Sequence, residues 1–337
     1  MFLQVLVLYL FLLIFSMDRY LSGLTSFGRE GLLISMKVRF LIFFFFFFSI
    51  QSIAGIKVYF SPDNSLDSLV MRAVASARYS IHIASYTMSP EFLSSCRKIA
   101  RQKNLDLKVI LHFPVKGIEP SLNTYRLNSL KKTLHAKFLI IDGCTTIVGS
   151  SNFTVAGLQK DINNLLFIDD KRISQTFEEA FNALWNGRIP SCSMEKPDLR
   201  VFFTPFSNCE EVIRNEIRKA SQSIKFVAFT FTSDEIAEEL CRAGLRNISI
   251  FGIFERGQRS KYDEHSFLSR FPFQVKYDSF INAVHDKWFL IDNKKIITGS
   301  YNFTKTARKN IECVIILSDP MVVERYRKRF RYLWFWY

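Results

Sequence analysis

The stretch HAKFLIIDGCTTIVGSSNFT, beginning at His135, recurs as HDKWFLIDNKKIITGSYNFT, beginning at His285. Laid over each other without a gap, the two agree at 10 of 20 positions, 150 residues apart. The correspondence reaches well beyond them. KVYFSPDNS at Lys57 answers to RVFFTPFSN at Arg200, and SIHIASYTM at Ser80 answers to SIKFVAFTF at Ser223. FEEAFNALW, ending at Trp185, answers to YRKRFRYLW, ending at Trp334. Solenoid units run to about 20–50 residues, so a period this long is a domain duplication. The chain must therefore fold as two similar lobes, each with its own core and its own copy of one polar pattern.

Within each half, strand-like apolar runs alternate with amphipathic helical patterns. In the first half residues 58–60, 81–86 and 107–112 read as strands, with helices over 65–78 and 91–101 between them. The alternation predicts an α/β fold in which each lobe is a mixed, mostly parallel sheet flanked by helices. NNLLFIDD and ECVIILSD both read as a late strand before a final helix. The turn-rich segment NGRIPSCSMEKPD, residues 186–198, is expected to link a first lobe over 55–190 to a second over 191–337.

Residues 1–54 do not share this pattern. From Met36 the chain reads MKVRFLIFFFFFFSIQSIAG, with Lys37 and Arg39 ahead of a short apolar run and Ser52-Ile53-Ala54 as a small-x-small site. This layout is that of a secretory signal peptide starting at Met36 and cleaved after Ala54, with residues 1–35 as an upstream extension. The run is shorter than the ~20 residues a membrane-spanning helix requires, though a membrane-anchored amino terminus is the competing reading. The expected location is accordingly periplasmic, secreted or cell-surface. The formal charge of +14 favours a polyanionic partner, either nucleic acid or an anionic membrane surface. None of the six cysteines forms a CxxC pair, so a zinc site is not expected, and several lie in apolar runs suited to buried free thiols.

In each copy the His and Lys of H-x-K are two apart, and so are the Ser and Asn of G-S-x-N. On strands each such pair leaves one face. Facing lobes would then bring together two imidazoles, two ammonium groups, two hydroxyls and two amides. That inventory suits a phosphodiester. Lys and Asn side chains hold the non-bridging oxygens, Ser150 and Ser300 join them as expected substrate contacts, one imidazole attacks phosphorus, and the other protonates the leaving oxygen. No metal or other cofactor is called for.

These residues resemble the H-x-K-x4-D-x6-G-S-x-N pattern of the phospholipase D superfamily. His135, Lys137, Asp142, Gly149, Ser150 and Asn152 fit the first copy; His285, Lys287, Asp292, Gly299, Ser300 and Asn302 fit the second. The resemblance spans roughly Lys57 to Trp334. It implies a two-lobed α/β fold with the active site at the lobe interface, complete in a monomer, and a phosphohistidine intermediate. It also implies a structural role for Asp142 and Asp292, with Gly149 and Gly299 in support. Alignment places Glu312 opposite Asn163, at a position where the family commonly carries a carboxylate that orients the motif His. The expectation drawn from this is that Glu312 backs His285 as proton donor, and that His135 is the nucleophile; the opposite assignment stays open, because a carboxylate also makes a histidine more basic and more nucleophilic. His82, His112 and His265 have no like counterpart in the other half and are expected to be structural or exposed.

The superfamily resemblance admits several substrates. Two motifs in one chain are similar to the lipid-cleaving members, which makes phospholipid hydrolysis to phosphatidic acid the leading expectation. The compact second half also resembles the small exported nucleases, so cleavage of DNA or RNA is the alternative. Cardiolipin-synthase-like alcohol transfer and non-catalytic nucleic-acid binding complete the set. Arg325, Arg327, Lys328, Arg329 and Arg331 give the last helix a basic character suited to anionic lipid, with Tyr326, Phe330 and Trp334 expected to pack inward.

Overall fold

The structure, a computed structural model, describes residues 55–121 and 123–335. The expected signal peptide and upstream extension lie outside the described residues. Fifteen strands and seven α-helices follow in two similar series. The first contains β1 (Gly55–Phe60), α1 (Leu66–Ser76), β2 (Ser80–Ser85), α2 (Pro90–Lys103) and β3 (Asp106–Leu111). It continues with β4 (Tyr125–Leu127), β5 (Phe138–Ile141), β6 (Thr145–Gly149), β7 (Asn164–Asp169) and α3 (Lys171–Trp185). The second series opens with β8 (Ser193–Glu195), β9 (Leu199–Phe203), α4 (Cys209–Arg218), β10 (Ser223–Ala228), α5 (Asp234–Leu245) and β11 (Ser249–Phe254). After α6 (His265–Leu268) and β12 (Gln274–Tyr277) come β13 (Lys287–Ile291), β14 (Lys295–Gly299), β15 (Cys313–Leu317) and α7 (Pro320–Phe335).

The strand orders are β1-β7-β6-β5-β2-β3-β4 and, read in the matching direction, β8-β9-β15-β14-β13-β10-β11-β12. Leaving β8 aside, the two sheets have one topology. Both are mixed, as expected, but antiparallel pairs predominate rather than parallel ones. Only β2–β3 and β3–β4 run parallel in the first sheet, and only β10–β11 and β11–β12 in the second. The cause is local. Three residues join β5 to β6, and so short a connection forces a hairpin; α2 provides the long crossover that a parallel β2–β3 pair needs. The segment expected to be a linker also differs, since β8 lies within it and pairs antiparallel with β9 as an edge strand.

Side chains alternate across each sheet and divide the core in three. Leu139, Ile141 and Ile147 face α1 and α2, whereas Phe138, Ile140 and Val148 face the other lobe. In the second lobe Phe289, Ile291 and Ile297 lie under α4 and α5, and Trp288, Leu290 and Ile296 point to the centre. Helices α3 and α7 contribute Phe177, Phe181, Tyr326 and Phe330 to the central cluster. Phe203 of the second lobe meets the ring of Phe177 edge-on at 5.3 Å, so the two sheets share one apolar layer. In α7, Tyr326 and Phe330 are buried and Trp334 packs partly against the same layer. Arg329 departs from the expected exposed basic face. It is buried, with Nη1 donating to Asp63 at 2.5 Å and Nη2 to the Ser61 carbonyl at 2.6 Å. No helix among the described residues is long and apolar enough to cross a membrane.

Candidate active site

Each motif strand is led in by a segment that hydrogen-bonds to the opposite lobe. The backbone N–H groups of His135 and Ala136 both donate to the carbonyl of Ile311, at 2.9 and 2.8 Å, and Ile162 N–H donates to Ala283 at 2.8 Å. These cross-lobe bridges decide what each histidine meets. His135 Nδ1 lies 2.9 Å from Glu312 Oε2, and His285 Nδ1 lies 2.9 Å from Asn163 Oδ1. The expected pairing of Glu312 with His285 is thereby corrected: each orienting side chain serves the histidine of the other lobe. The late strand of one lobe abuts the motif lead-in of its partner, an adjacency that internal alignment does not encode.

The hydrogen-bond network fixes both tautomers. Asn163 Nδ2 donates to the Gly157 carbonyl at 3.0 Å, so its Oδ1 faces His285 and can only accept. Glu312 also only accepts when ionised. Both imidazoles therefore carry hydrogen on Nδ1 and leave Nε2 for chemistry. Ser150 Oγ adds a second hydrogen bond to Asn163 Oδ1 at 2.8 Å, and Ser300 Oγ adds one to Glu312 Oε2 at 2.6 Å. The two motif serines, expected as substrate contacts, are buried and instead hold the orienting side chains.

Lys137 and Lys287 are buried, and each ammonium donates to the carbonyl of its own motif histidine. Burial brings Lys137 down to about 7 despite the opposing pull of Glu312. Burial, together with the Lys137 charge, drives Lys287 well below the ordinary lysine value. The His285 imidazole is likewise pushed well down by burial, with Lys287, Lys137 and His135 adding to the effect. His135 is lowered by burial and held up in part by Glu312. Glu312 itself would be raised by burial, but His135, Lys137 and Ser300 keep it below the usual carboxylate range. Mutual perturbation of this kind places the four motif bases around one site. The site gathers four basic groups against one carboxylate, and a bound anion would favour their charged forms. The Oδ1 atoms of Asn152 and Asn302 are buried without a partner in both lobes. Unsatisfied buried amide oxygens at matching positions in both lobes set these two motif residues apart from the rest of the core.

The motif aspartates sit at the far end of these strands, about 16 Å along from the lysines at about 3.3 Å per residue. Asp142 accepts from the N–H groups of Arg78, Tyr79 and Ser80 at 2.9, 2.7 and 2.9 Å. Asp292 does the same for Ser221, Gln222 and Ser223 at 2.9, 2.7 and 3.0 Å. Each ties its hairpin turn to the loop entering β2 or β10. A Cβ on Gly149 would lie 2.2 Å from the Asn164 carbonyl oxygen, and one on Gly299 the same distance from that of Cys313. Glycine here lets β6 and β14 approach their neighbours closely enough for Ser150 and Ser300 to reach the orienting residues.

The sequence profile described as "Cardiolipin synthase, PLD-like domain" matches residues 70–185 and again 213–334, one match per lobe and most of the chain together. The chain belongs to the phospholipase D-like family. A phospholipase D of Rickettsia conorii is 35% identical over 149 residues, covering 44% of this chain and 74% of that one. A mitochondrial cardiolipin hydrolase of Chlamydomonas reinhardtii is 26% identical over 119 residues, 34% of this chain and 52% of that one. The phosphatidylserine synthase of Haemophilus influenzae superposes with a TM-score of 0.67 at 13% identity, over 82% of this chain and 86% of its own. That last likeness concerns the fold and takes in both lobes. The protein is thus a phosphodiesterase of the phospholipase D superfamily.

Three features of this phospholipase D-like site escape motif reading. Tyr86 and Phe229 set their rings edge-on against His135 and His285, with centroids at 5.1 and 4.5 Å. They also lie under the ammonium groups of Lys137 and Lys287, at 5.5 and 4.7 Å. Their equivalence was visible in the aligned SIHIASYTM and SIKFVAFTF, but nothing in the sequence tied them to the histidines. His112 Nδ1 accepts from Leu134 N–H at 3.4 Å and stacks on Tyr86 at 5.4 Å. Glu255 does the corresponding work for Val284 N–H, which is why a search for a matching histidine fails. Asp286, inside the second H-x-K, is fully buried. His82, as expected, is structural: it stacks on Phe181 and contacts Glu178 at 2.8 Å.

Proposed function

We propose that the protein hydrolyses the phosphodiester bond of phospholipids to phosphatidic acid, through a phosphohistidine and without a metal ion. The observation that carries the reaction type is the pair of Nδ1-anchored imidazoles beside two buried lysines. His135 Nε2 attacks phosphorus and becomes a cationic phosphoimidazolium, so the carboxylate of Glu312 supports the nucleophile as charge builds on it. His285 Nε2–H protonates the departing alkoxide as the P–O bond breaks. Its amide partner does not hold that proton back. Water then attacks phosphorus, His285 takes its proton, and the P–N bond to His135 breaks to release phosphatidate. In the empty site His285 is held neutral. The incoming phosphodiester offsets Lys137 and Lys287 and lets His285 take up the proton it will donate. Lysines and amides serve here as the electrophilic groups.

Several features support a lipid. The relatives that match over a lobe's length are a phospholipase D and a cardiolipin hydrolase. Phe113, 47% exposed, packs on Tyr86 and His112 beside His135, and Ile281, 95% exposed, precedes His285 by four residues. A cleft of about 180 Å³ beside that segment is lined by Pro62, Ile162, Phe280 and Ile281, with Lys160 and Arg329 in its wall. Exposed Arg325, Arg327, Lys328 and Arg331 on α7 suit an anionic bilayer surface. The site draws both halves from one chain and functions as a monomer, and the leader-like residues 36–54 direct the chain to export.

The test is a parallel assay of the full chain with EDTA present, against a His135→Ala/His285→Ala control. One arm offers mixed phospholipid vesicles, the other single- and double-stranded nucleic acid. Phosphatidic acid released by the wild type alone is the expected result. Cleavage confined to nucleic acid would replace the lipid reading with a nuclease, phosphatidyl transfer to an added alcohol in preference to water would replace it with a synthase, and activity abolished by EDTA would overturn metal independence.

A further inference from the structure

We propose that Asp286 is a positioning residue for catalysis, supplying His285 through Ser150 and Asn163 with the carboxylate that its direct partner lacks. The inference rests on the proposed role of His285 as proton donor. Its basis is an asymmetry between the two copies. Where the second lobe offers Glu312 to His135, the first offers the neutral Asn163 to His285. Where the first lobe has Ala136 between its motif His and Lys, the second has Asp286. Each histidine is thus served by one carboxylate, directly in one case and at two removes in the other.

The connection runs through Ser150, whose one hydrogen serves either of two acceptors. Asp286 Oδ1 receives Ser150 Oγ at 3.3 Å and Asn164 Nδ2 at 2.7 Å. Ser150 Oγ also reaches Asn163 Oδ1 at 2.8 Å, and that oxygen takes the Nδ1 proton of His285 at 2.9 Å. The orientation of Asn164 is not free. Its Oδ1 accepts from Tyr326 at 2.9 Å and from Thr298 at 3.1 Å, so its amide N–H must face Asp286. In the other lobe the counterparts of Asn164 and Asp286 are Cys313 and Ala136, and no such network forms there: Ser300 turns to Glu312 alone among the carboxylates.

Every group that meets Asp286 donates to it or opposes its charge. Ser150 and Asn164 come from the first lobe, Arg329 stands opposite on α7, and Lys287 follows on its own strand. The indole of Trp288 lies near enough to favour the charged form, although neither its Nε1 nor Asp286 Oδ2 completes a hydrogen bond. Burial raises the Asp286 carboxyl above the ordinary value, and these groups offset that rise only in part. A buried carboxylate that leaves one oxygen unpaired is costly to keep. A role in holding the proton of His285 against Lys287, Lys137 and His135 accounts for its retention. Ser150 is the hinge of the arrangement, since its single hydrogen is shared between Asn163 and Asp286.

The experiment uses the full-length protein and the isosteric Asp286→Asn substitution. The ring titration of His285 is followed by NMR, assigned with His285→Asn, alongside the pH dependence of kcat on phospholipid vesicles. Loss of the nearby anion lowers the His285 midpoint. The expected shift is about one pH unit, equivalent to about a tenfold loss of proton affinity. The alkaline limb of kcat moves down with it, and KM changes less than about twofold because no substrate contact is lost. Asp286→Asn/Asn163→Glu, with the carboxylate placed directly on His285, restores both. An unshifted His285 in folded Asp286→Asn overturns the inference, whatever happens to stability. Should Asp286→Asn fail to fold, Asn163→Glu/Asp286→Ala decides: His285 titrating as in wild type supports the inference, and a downward shift sinks it. The titration requires no turnover, so a wild type without phosphodiesterase activity would defeat the functional reading and leave this result standing.

Discussion

At the scale of single residues the two halves are alike in their motifs and unlike in what lies behind them. A carboxylate behind an attacking imidazole is most useful when that imidazole gains positive charge, and this is the ground on which the proposed mechanism gives the attack to His135. Rapid quenching with a slow substrate, followed by peptide mass spectrometry, should therefore find the phosphoryl group on His135. Finding it on His285 would reverse the roles. Glu312→Gln keeps the hydrogen-bonding shape but removes the charge, and should lower kcat by about 10² while leaving KM nearly unchanged. Loss in KM alone would mean that Glu312 acts on binding. Although they flank the strands they were expected to sit on, with His135 and Lys137 before β5 and Ser150 and Asn152 after β6, the motif residues were legible in the sequence because the pattern recurs intact in both halves. The partner of each histidine was not, since the bridges from Ile311 to His135 and from Ala283 to Ile162 pair segments of different lobes. Asp286 was hidden for another reason. It aligns with Ala136, and a repeat draws the eye to what recurs.

Among the elements, the hairpins β5–β6 and β13–β14 carry the motif at one end and its anchor at the other. Asp142 and Asp292 adopt φ of +52°, a conformation suited to the tight turns they occupy, and each satisfies three backbone N–H groups of a neighbouring loop. Asp142→Ala strands those donors. At about 2 kcal/mol for the lost hydrogen bonds, the melting temperature should fall by about 4–8 °C. The folded protein should keep kcat within about tenfold of wild type, given the distance to Lys137. A variant that melts normally yet is inactive would put Asp142 in the chemistry instead. Element positions were read correctly where local pattern sufficed, as for α1, α2 and the strands before and after them. Strand direction was misjudged because alternating helices and strands suggest parallel crossovers, while the motif hairpins set the actual balance.

At the scale of the whole molecule, four basic groups, Lys137, Lys287, His135 and His285, share a buried site with the carboxylate of Glu312, and burial holds the lysines and imidazoles below their ordinary values. The sign of the pH effect follows from the depressed lysines. Lys137 titrates at about 7 when folded, against an ordinary value of 10.5. Between those values the unfolded chain binds more protons, so this group's contribution makes stability rise with pH over about 7 to 10.5. Below about 7 its penalty is present in full. Lys137→Met should accordingly melt higher than wild type at pH 6, with the gap closing toward pH 10. Tungstate, a phosphate-like anion, should raise the wild-type melting temperature more at pH 6 than at pH 9, and should do little for Lys137→Met. Equal stabilisation of both proteins at both pH values would show that tungstate binds elsewhere, on the exposed basic face of α7 for instance. A pH-dependent response confined to wild type would place the bound anion beside a protonated Lys137, the position the proposed reaction gives to the phosphodiester.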